Sequence, residues 1–467
     1  MNRSIKDELD PVFYPRSMAL VGISNTATNV AYMVLHTLLE VGFPKVYPVN
    51  PRGGEMLGVK VYESVMDIPG EVDLALVTVR REAIPEIVEE CVKKKIRAVV
   101  LYSGGFSESG PEGKSFEEEI VRISRAGGTR IIGPNCVGPY NPSARLIPQL
   151  ILPRESGSVG FISHSGFLFY YLVMCAADRG LLPSKGVSCG SDADLTCVDF
   201  LEYLGQDPDT KMIVAYLEGI RDGRLLQVAR EVSMSKPVIV LKGGNSEAGI
   251  KASASHTGTL AVSSAIWRTL CSQTGIIAVD SFEQMMDVMV ALHHLPRPEG
   301  KRVGIITTPG GLAVTSTDAC NQLGLEIPVL MEETREQLTG VVESIGTSVN
   351  NPVDLGLIGA LDPERYMKQA IKIVARDPNI DMILAAFTGP PFDDDERDKR
   401  IADLLVGEIA AGGKPTVICG ATPQGWPRGE LRFLDHSSIP VYSEPRRAAY
   451  ALAKLAEYAD FVRAAKT

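Results

Sequence analysis

The run Ser253-Ala254-Ser255-His256-Thr257-Gly258-Thr259-Leu260-Ala261 sets one histidine in a loop of small hydroxyl and glycine residues, just after the apolar stretch of residues 237–241. Side chains this small cannot bury an imidazole. His256 is therefore expected to stand free among hydroxyls and backbone N–H groups of the kind that hold a phosphoryl group. Metal ligation is not expected, because no Cys, Asp or Glu lies within four residues of His256 and no second histidine is near enough to complete a ligand pair. A lone histidine is more often a hydrogen-bonded structural or surface residue than a catalyst. The rest of the chain shifts that balance, through two further small-residue loops and a carboxylate ahead of the histidine.

Those loops sit in a repeated pattern of strand, Gly/Ser turn and helix. Residues 17–24 (SMALVGIS), 157–166 (GSVGFISHSG) and 301–311 (KRVGIITTPGG) each put a turn of small residues between an apolar β-branched run and a helical stretch. That alternation indicates parallel sheets covered by helices on both faces. Such turns are where doubly wound sheets bind phosphates. The expected fold class is α/β: an N-terminal Rossmann-like domain over residues 1–142, then two flavodoxin-like doubly wound domains over 143–297 and 298–467. Asn141-Pro142 and the Pro-rich, charged segment of residues 295–300 mark the boundaries.

Composition narrows the function. The chain has 467 residues, 45% of them hydrophobic, which suffices for about three cores. A formal charge of −10 with no basic block beyond Lys93-Lys94-Lys95 gives no footprint for nucleic acid or membrane. The charged N-terminus and the lack of a long apolar run point to a cytoplasmic protein. Eight cysteines without CxxC spacing are expected to be reduced and mostly buried, Cys136 among them. The pair His293-His294 is expected at a helix end on the surface.

In the first segment four apolar runs end in small or polar residues. The ligand crevice beyond their ends should be lined by Gly22, Ser24, Asn25, Asn50, Pro51, Arg80, Ser103 and Gly104. Ordinary turn chemistry explains any one of these equally well. Gly133-Pro134-Asn135-Cys136 fixes the backbone at a strand end and presents an uncharged amide to a carbonyl or phosphoryl oxygen.

Five motifs together resemble one family. Gly133-Pro134-Asn135-Cys136, Ser163-His164-Ser165-Gly166, Tyr216-Leu217-Glu218-Gly219-Ile220, Ser255-His256-Thr257-Gly258 and Asn351-Pro352-Val353-Asp354 fall in the order found in NDP-forming acyl-CoA synthetases. That family is related to succinyl-CoA synthetase, and the chain resembles its α subunit over nearly its full length. The resemblance implies a CoA-binding first domain and a second domain carrying the active histidine. It implies a reaction in which acyl-CoA and phosphate give acyl phosphate and CoA, the phosphoryl group passes to the histidine, and ADP or another NDP collects it. Run backwards, the reaction activates a carboxylic acid. By the motifs, His256 is the phosphorylated residue and Glu218 its carboxylate partner. Ser163, His164, Ser165 and Gly166 open the phosphate-holding helix, and Asn135 lines the same site. The chemistry agrees: a neutral imidazole attacks phosphorus, and a carboxylate on its other nitrogen fixes the tautomer. No ATP-grasp segment is evident, so the resemblance implies a separate β subunit holding ADP or ATP with Mg2+, in an α2β2 assembly; a homodimer of this chain is the other arrangement.

The chain also departs from the family pattern. Ser-Gln-Ser-Gly is common in the second loop, where His164 replaces the amide, and Ser191-Asp192 stand where Asn-Lys is usual. The acyl pocket or the partner contact is expected to differ accordingly. Two other readings remain at this point. One is a non-catalytic CoA-binding or regulatory protein on the same scaffold. The other, an NAD-dependent dehydrogenase, is opposed by the missing GxGxxG and by Asn50-Pro51 where an acidic residue would end the second strand.

Overall fold

The computed structural model describes residues 4–465 apart from 27, 252–262, 309, 343–345, 388–394 and 421–437. The chain divides into two compact units, Met1–Asp280 and Ser281–Thr467.

The first unit holds two sheets. In the first sheet β1 (Met18–Val21), β2 (Val46–Val49), β5 (Leu74–Val77), β6 (Ala98–Leu101) and β7 (Arg130–Ile132) lie in the order β2-β1-β5-β6-β7, all parallel. A hairpin of β3 (Gly54–Met56) and β4 (Val59–Val61) follows β2. Strands β1, β5 and β6 are short runs of Val, Leu, Ala and Met, buried at every position, as burial on both faces requires. Helices α1 (Ile5–Phe13), α2 (Val30–Glu40), α3 (Ile84–Lys93) and α4 (Pro111–Ala126) belong to this part of the chain.

The second sheet runs β13-β12-β11-β9-β10-β8. Its parallel strands are β9 (Val159–Ser163), β10 (Pro183–Ser188), β11 (Met212–Leu217), β12 (Val238–Lys242) and β13 (Ile277–Val279), with β8 (Gly138–Tyr140) antiparallel on the edge. Helices α5 (Gly166–Ala177), α6 (Cys197–Gln206), α7 (Leu225–Ser233) and the helix Ser264–Thr274 accompany it. One buried apolar cluster, from Leu9 to Ile276, draws on both sheets. Within it Phe13 of α1 stacks on Tyr203 of α6 with ring centroids 4.7 Å apart. Asp194 adds a polar tie: its wholly buried carboxylate takes the guanidinium groups of Arg125 and Arg130 and the Ile131 amide N–H.

The second unit carries β14 (Val303–Thr308), β15 (Val353–Asp354), β16 (Met382–Phe387), β17 (Thr416–Gly420) and β18 (Val441–Tyr442), parallel in the order β15-β14-β16-β17-β18. Counted by its own parallel strands, each sheet reads 2-1-3-4-5, the flavodoxin-like winding. The α/β doubly wound class is thus the observed one.

Two placements differ from the expected domain limits. Residues 138–140, expected to end the first domain, supply the edge strand of the second sheet. The helix Phe282–His294, expected to close the second domain, packs on the helix Pro445–Ala464, and Arg447 pairs with its buried Asp287 at 2.6 Å. His293 and His294 do stand in its last turn. No helix among the described residues is long and apolar enough to cross a membrane.

Candidate active site

Strand order reverses between β1 and β5 in the first sheet and between β9 and β11 in the second, and ligands of open α/β sheets bind beyond the strand ends at such reversals. A cavity of about 740 Å³ is lined from three sides. Thr78, Tyr102, Ser103 and Gly104 come from strand ends of the first sheet, Asn135 and Val137 from the turn after β7, and His164, Ser165 and Gly166 from the turn after β9.

The turn after β7 needs the residues it has. Gly133 and Asn135 both take positive φ, +101° and +58°, and asparagine tolerates that region better than most side chains. The Asn135 amide N–H donates to the Ser103 carbonyl at 3.1 Å, fixing this turn against the end of β6. Behind it Gly190 approaches so closely that a Cβ there would stand 2.0 Å from the Pro134 carbonyl oxygen. Burial pushes the Cys136 thiol up to about 12, so it packs and does not act as a nucleophile.

Ser165 caps α5, its hydroxyl accepting from the Leu168 amide while its carbonyl accepts from Phe169. The N–H groups of Gly166 and Phe167, both on the cavity wall, have no partner among the described residues. With the helix dipole behind them they form a site for an anion. Ser163 is buried and off the wall: its hydroxyl donates to the Ser165 carbonyl and accepts the Ser165 amide. It shapes the turn and does not face the cavity.

His164 is buried with both ring nitrogens engaged. The Glu218 amide N–H donates to Nδ1 at 3.1 Å, and Nε2 lies 3.1 Å from Asp192 Oδ2. A proton donor at Nδ1 means that Nε2 carries the ring hydrogen and donates it to the carboxylate. Burial opposes protonation of the ring, while the charges of Asp192 and then Glu218 favour it and prevail, so the imidazole is held above the usual histidine range. Cys189 joins His164 and Asp192 in a buried group whose ligand atoms lie within 4.8 Å of one another. This group suits a cation poorly. Neither ring nitrogen has a lone pair to give, and burial drives the Cys189 thiol well above its usual range, against the thiolate a metal would need.

Glu218 directly follows β11 and is buried. Burial first, and then the hydrogen-bonded Glu218 carboxylate, raise the Tyr216 phenol. On the neighbouring strand β12, Gly243 N–H donates to the Leu217 carbonyl at 2.8 Å, so the chain leaves β12 beside Glu218. His256 lies outside the described residues. The residues flanking it are tied together, the Ser264 hydroxyl donating to the Asn245 carbonyl at 2.8 Å.

Of the residues singled out in the sequence, Ser103, Gly104, Asn135, His164, Ser165 and Gly166 meet on the cavity wall. Gly22, Ser24, Asn25, Asn50, Pro51 and Arg80 do not. They stand at neighbouring strand ends of the first sheet, where the Asn50 side chain donates to the Ile23 carbonyl and Gly22, at φ +92°, makes room for Thr78. Asn25, Pro51 and Arg80 are exposed. Sequence reasoning missed Thr78, Tyr102, Val137, Phe167, Tyr170, Gly190 and Ser191. Thr78, one residue past β5, was the readable one, since every strand end on that edge is a candidate.

Comparison with known proteins gives a consistent result. Residues 16–142 match the CoA binding domain family and residues 156–292 the succinyl-CoA ligase like flavodoxin domain family. The chain is 38% identical to the acetate–CoA ligase (ADP-forming) II subunit alpha of Pyrococcus furiosus, over 96% of this chain and 98% of that one. It is 34% identical to the acetate–CoA ligase (ADP-forming) I of Archaeoglobus fulgidus over 96% of this chain, spanning 64% of that longer protein. Among solved structures it is similar to the dinucleotide forming acetyl-coenzyme A synthetase 1 of Ca. Korarchaeum cryptofilum in complex with phosphate and ADP, with a TM-score of 0.87 at 32% identity, over 98% of this chain and 99% of that one.

Proposed function

The chain belongs to the family of ADP-forming acetate–CoA ligase α subunits, and from that premise we propose that it interconverts an acyl-CoA, phosphate and ADP with a carboxylic acid, CoA and ATP, carrying the phosphoryl group on His256. One observation carries this reading. The start of α5, an anion site, and the strand ends of the CoA-binding sheet share a single cavity.

A phosphate held by the Gly166 and Phe167 N–H groups is poised to attack a thioester carbonyl brought in along Ser103 and Gly104. The new C–O bond forms as the C–S bond breaks, and CoA leaves as the thiol. The Asn135 side chain supports the carbonyl oxygen as charge builds on it, without adding a charge of its own. The neutral His256 imidazole then takes phosphorus from the acyl phosphate, releasing the carboxylate. Glu218 holds the other ring nitrogen and balances the imidazolium that forms. The tied flanks of residues 252–262 beside Glu218 support this pairing. Small residues and backbone amides suffice because phosphoryl transfer depends mainly on positioning and electrostatics.

ADP or ATP with Mg2+ is assigned to a separate ATP-grasp β subunit, in an α2β2 assembly in the cytoplasm. The share of the longer Archaeoglobus protein that this chain leaves unmatched supports a partner of that kind.

The test is incubation of the full chain with acetyl-CoA and radiolabelled phosphate. An acid-labile, alkali-stable label absent from His256→Ala is expected; equal labelling of His256→Ala overturns the assignment. CoA binding without label at any acyl group, with the β subunit present, would instead make the protein a CoA-binding regulator.

A further inference from the structure

Two of the positions at which the chain departs from its family's pattern, His164 and Asp192, are bonded to each other, and through the same ring to the backbone of Glu218. We propose that His164 is a positioning residue for Glu218 and makes phosphoryl transfer sensitive to pH: neutral, it holds the Glu218 backbone in place, and protonated, it releases it. This inference rests on the function proposed above.

The geometry allows one neutral tautomer. Asp192 is buried, and its Oδ2 also accepts the Cys197 amide N–H at 2.9 Å at the start of α6, where the helix dipole favours a carboxylate. The anion is therefore fixed, and it takes the Nε2 proton. Nδ1 is left to accept from Glu218, and no other atom of the ring can do so. The His164 amide in turn donates to the Tyr216 carbonyl at 3.1 Å, so ring and backbone together clasp the end of β11. The Glu218 side chain so placed lies beside Gly243, where β12 ends.

A second proton on the ring changes one contact only. Nδ1–H would face the Glu218 N–H, two donors with no acceptor, and the strand end has to move. Around the ring stand Asp192 and the Cys189 thiol after β10, Glu218 and Arg221 after β11, and the Cys197 thiol at the start of α6. The two carboxylates favour the proton and Arg221 opposes it. Release should thus begin at a higher pH than for an ordinary histidine.

Glutamine offers a non-titrating substitute, because its amide carries an acceptor for the Glu218 N–H and a donor for Asp192 on one planar group. The experiment follows single-turnover phosphohistidine formation from acetyl-CoA and phosphate against pH, in wild type, His164→Gln, His164→Ala and Asp192→Asn. His256 must be neutral to react, so every active protein retains an acid limb from that ring. Wild type should show a further limb, set by His164. That limb disappears in His164→Gln and moves to lower pH in Asp192→Asn, where the charge favouring protonation is gone. His164→Ala should lose about 10- to 100-fold in rate above the His164 limb, the gap to wild type closing below it, with the KM for acetyl-CoA unchanged. Profiles of wild type, His164→Gln and Asp192→Asn that coincide overturn the inference while leaving the functional reading intact. Absence of label at His256 in wild type overturns both.

Discussion

Tyr216 and Gly243 meet at the ends of the paired strands β11 and β12, so closely that a Cβ at Gly243 would lie 2.8 Å from the tyrosine hydroxyl and 3.4 Å from Glu218 Cγ. Gly243→Ala should push both side chains from their places. The expected result is about a tenfold loss in phosphohistidine formation with CoA affinity unchanged. Rapid quench and isothermal titration measure the two quantities separately.

Glu218→Gln tests the carboxylate itself. The amide preserves volume but supplies no charge for the imidazolium, and a loss on the order of 100-fold or more in single-turnover rate is expected. A variant as fast as wild type removes Glu218 from the mechanism.

Asp194→Ala should damage the fold. The change strands Arg130 and the Ile131 amide behind a hole where a fully buried carboxylate stood. A loss of about 3 kcal/mol is expected in urea unfolding, the partial exposure of both arginines keeping it at the low end for a broken buried pair.

Acid should weaken the second unit through Asp381. Burial works to raise this carboxyl, but the Arg302 guanidinium and amide overcome it, so it ionises below the usual carboxylate range. Its folded pKa lies under the unfolded value of about 3.9, so its contribution is present above that pH and is lost as pH falls through the folded value. Asp381→Asn should be less stable than wild type at pH 6, with the gap closing as the pH drops below 4. Thermal unfolding across that range decides it.

Seven of the eight cysteines are buried, and Cys175 alone is partly accessible. A thiol reagent at pH 8 should react with Cys175 first on the native protein and with all eight after denaturation. Peptide mapping identifies the site.

What could be read from the sequence was local. Ser165 before Gly166 announces a helix cap, and Gly133 with Asn135 announces a turn of positive φ, because in each case the constraint and the residues answering it are neighbours. The three windings were legible for the same reason, each strand being an apolar run with a small-residue turn behind it. Contacts set by register between distant segments were not. His164 and Asp192 are 28 residues apart with no periodic relation, so both departures were visible while their pairing was not. Tyr102 follows β6 and Tyr170 stands on α5, yet both reach one wall. Gly138-Pro139-Tyr140 hardly resembles a strand, since proline gives nothing to a ladder and is tolerated only at an edge. The helix Phe282–His294 shows its apolar stripe in sequence, but nothing in that stripe says which sheet it serves.

The edge strand β8 precedes the loop of residues 143–153 yet hydrogen-bonds to β10, and the Tyr140 hydroxyl reaches across that loop to the Pro153 carbonyl. A polypeptide severed in this loop would keep its N-terminal piece zipped into the second sheet. Residues 1–147 and 148–467 produced as two separate chains should therefore co-elute as one particle. Continuity of the backbone at this point serves synthesis of the protein more than its cohesion.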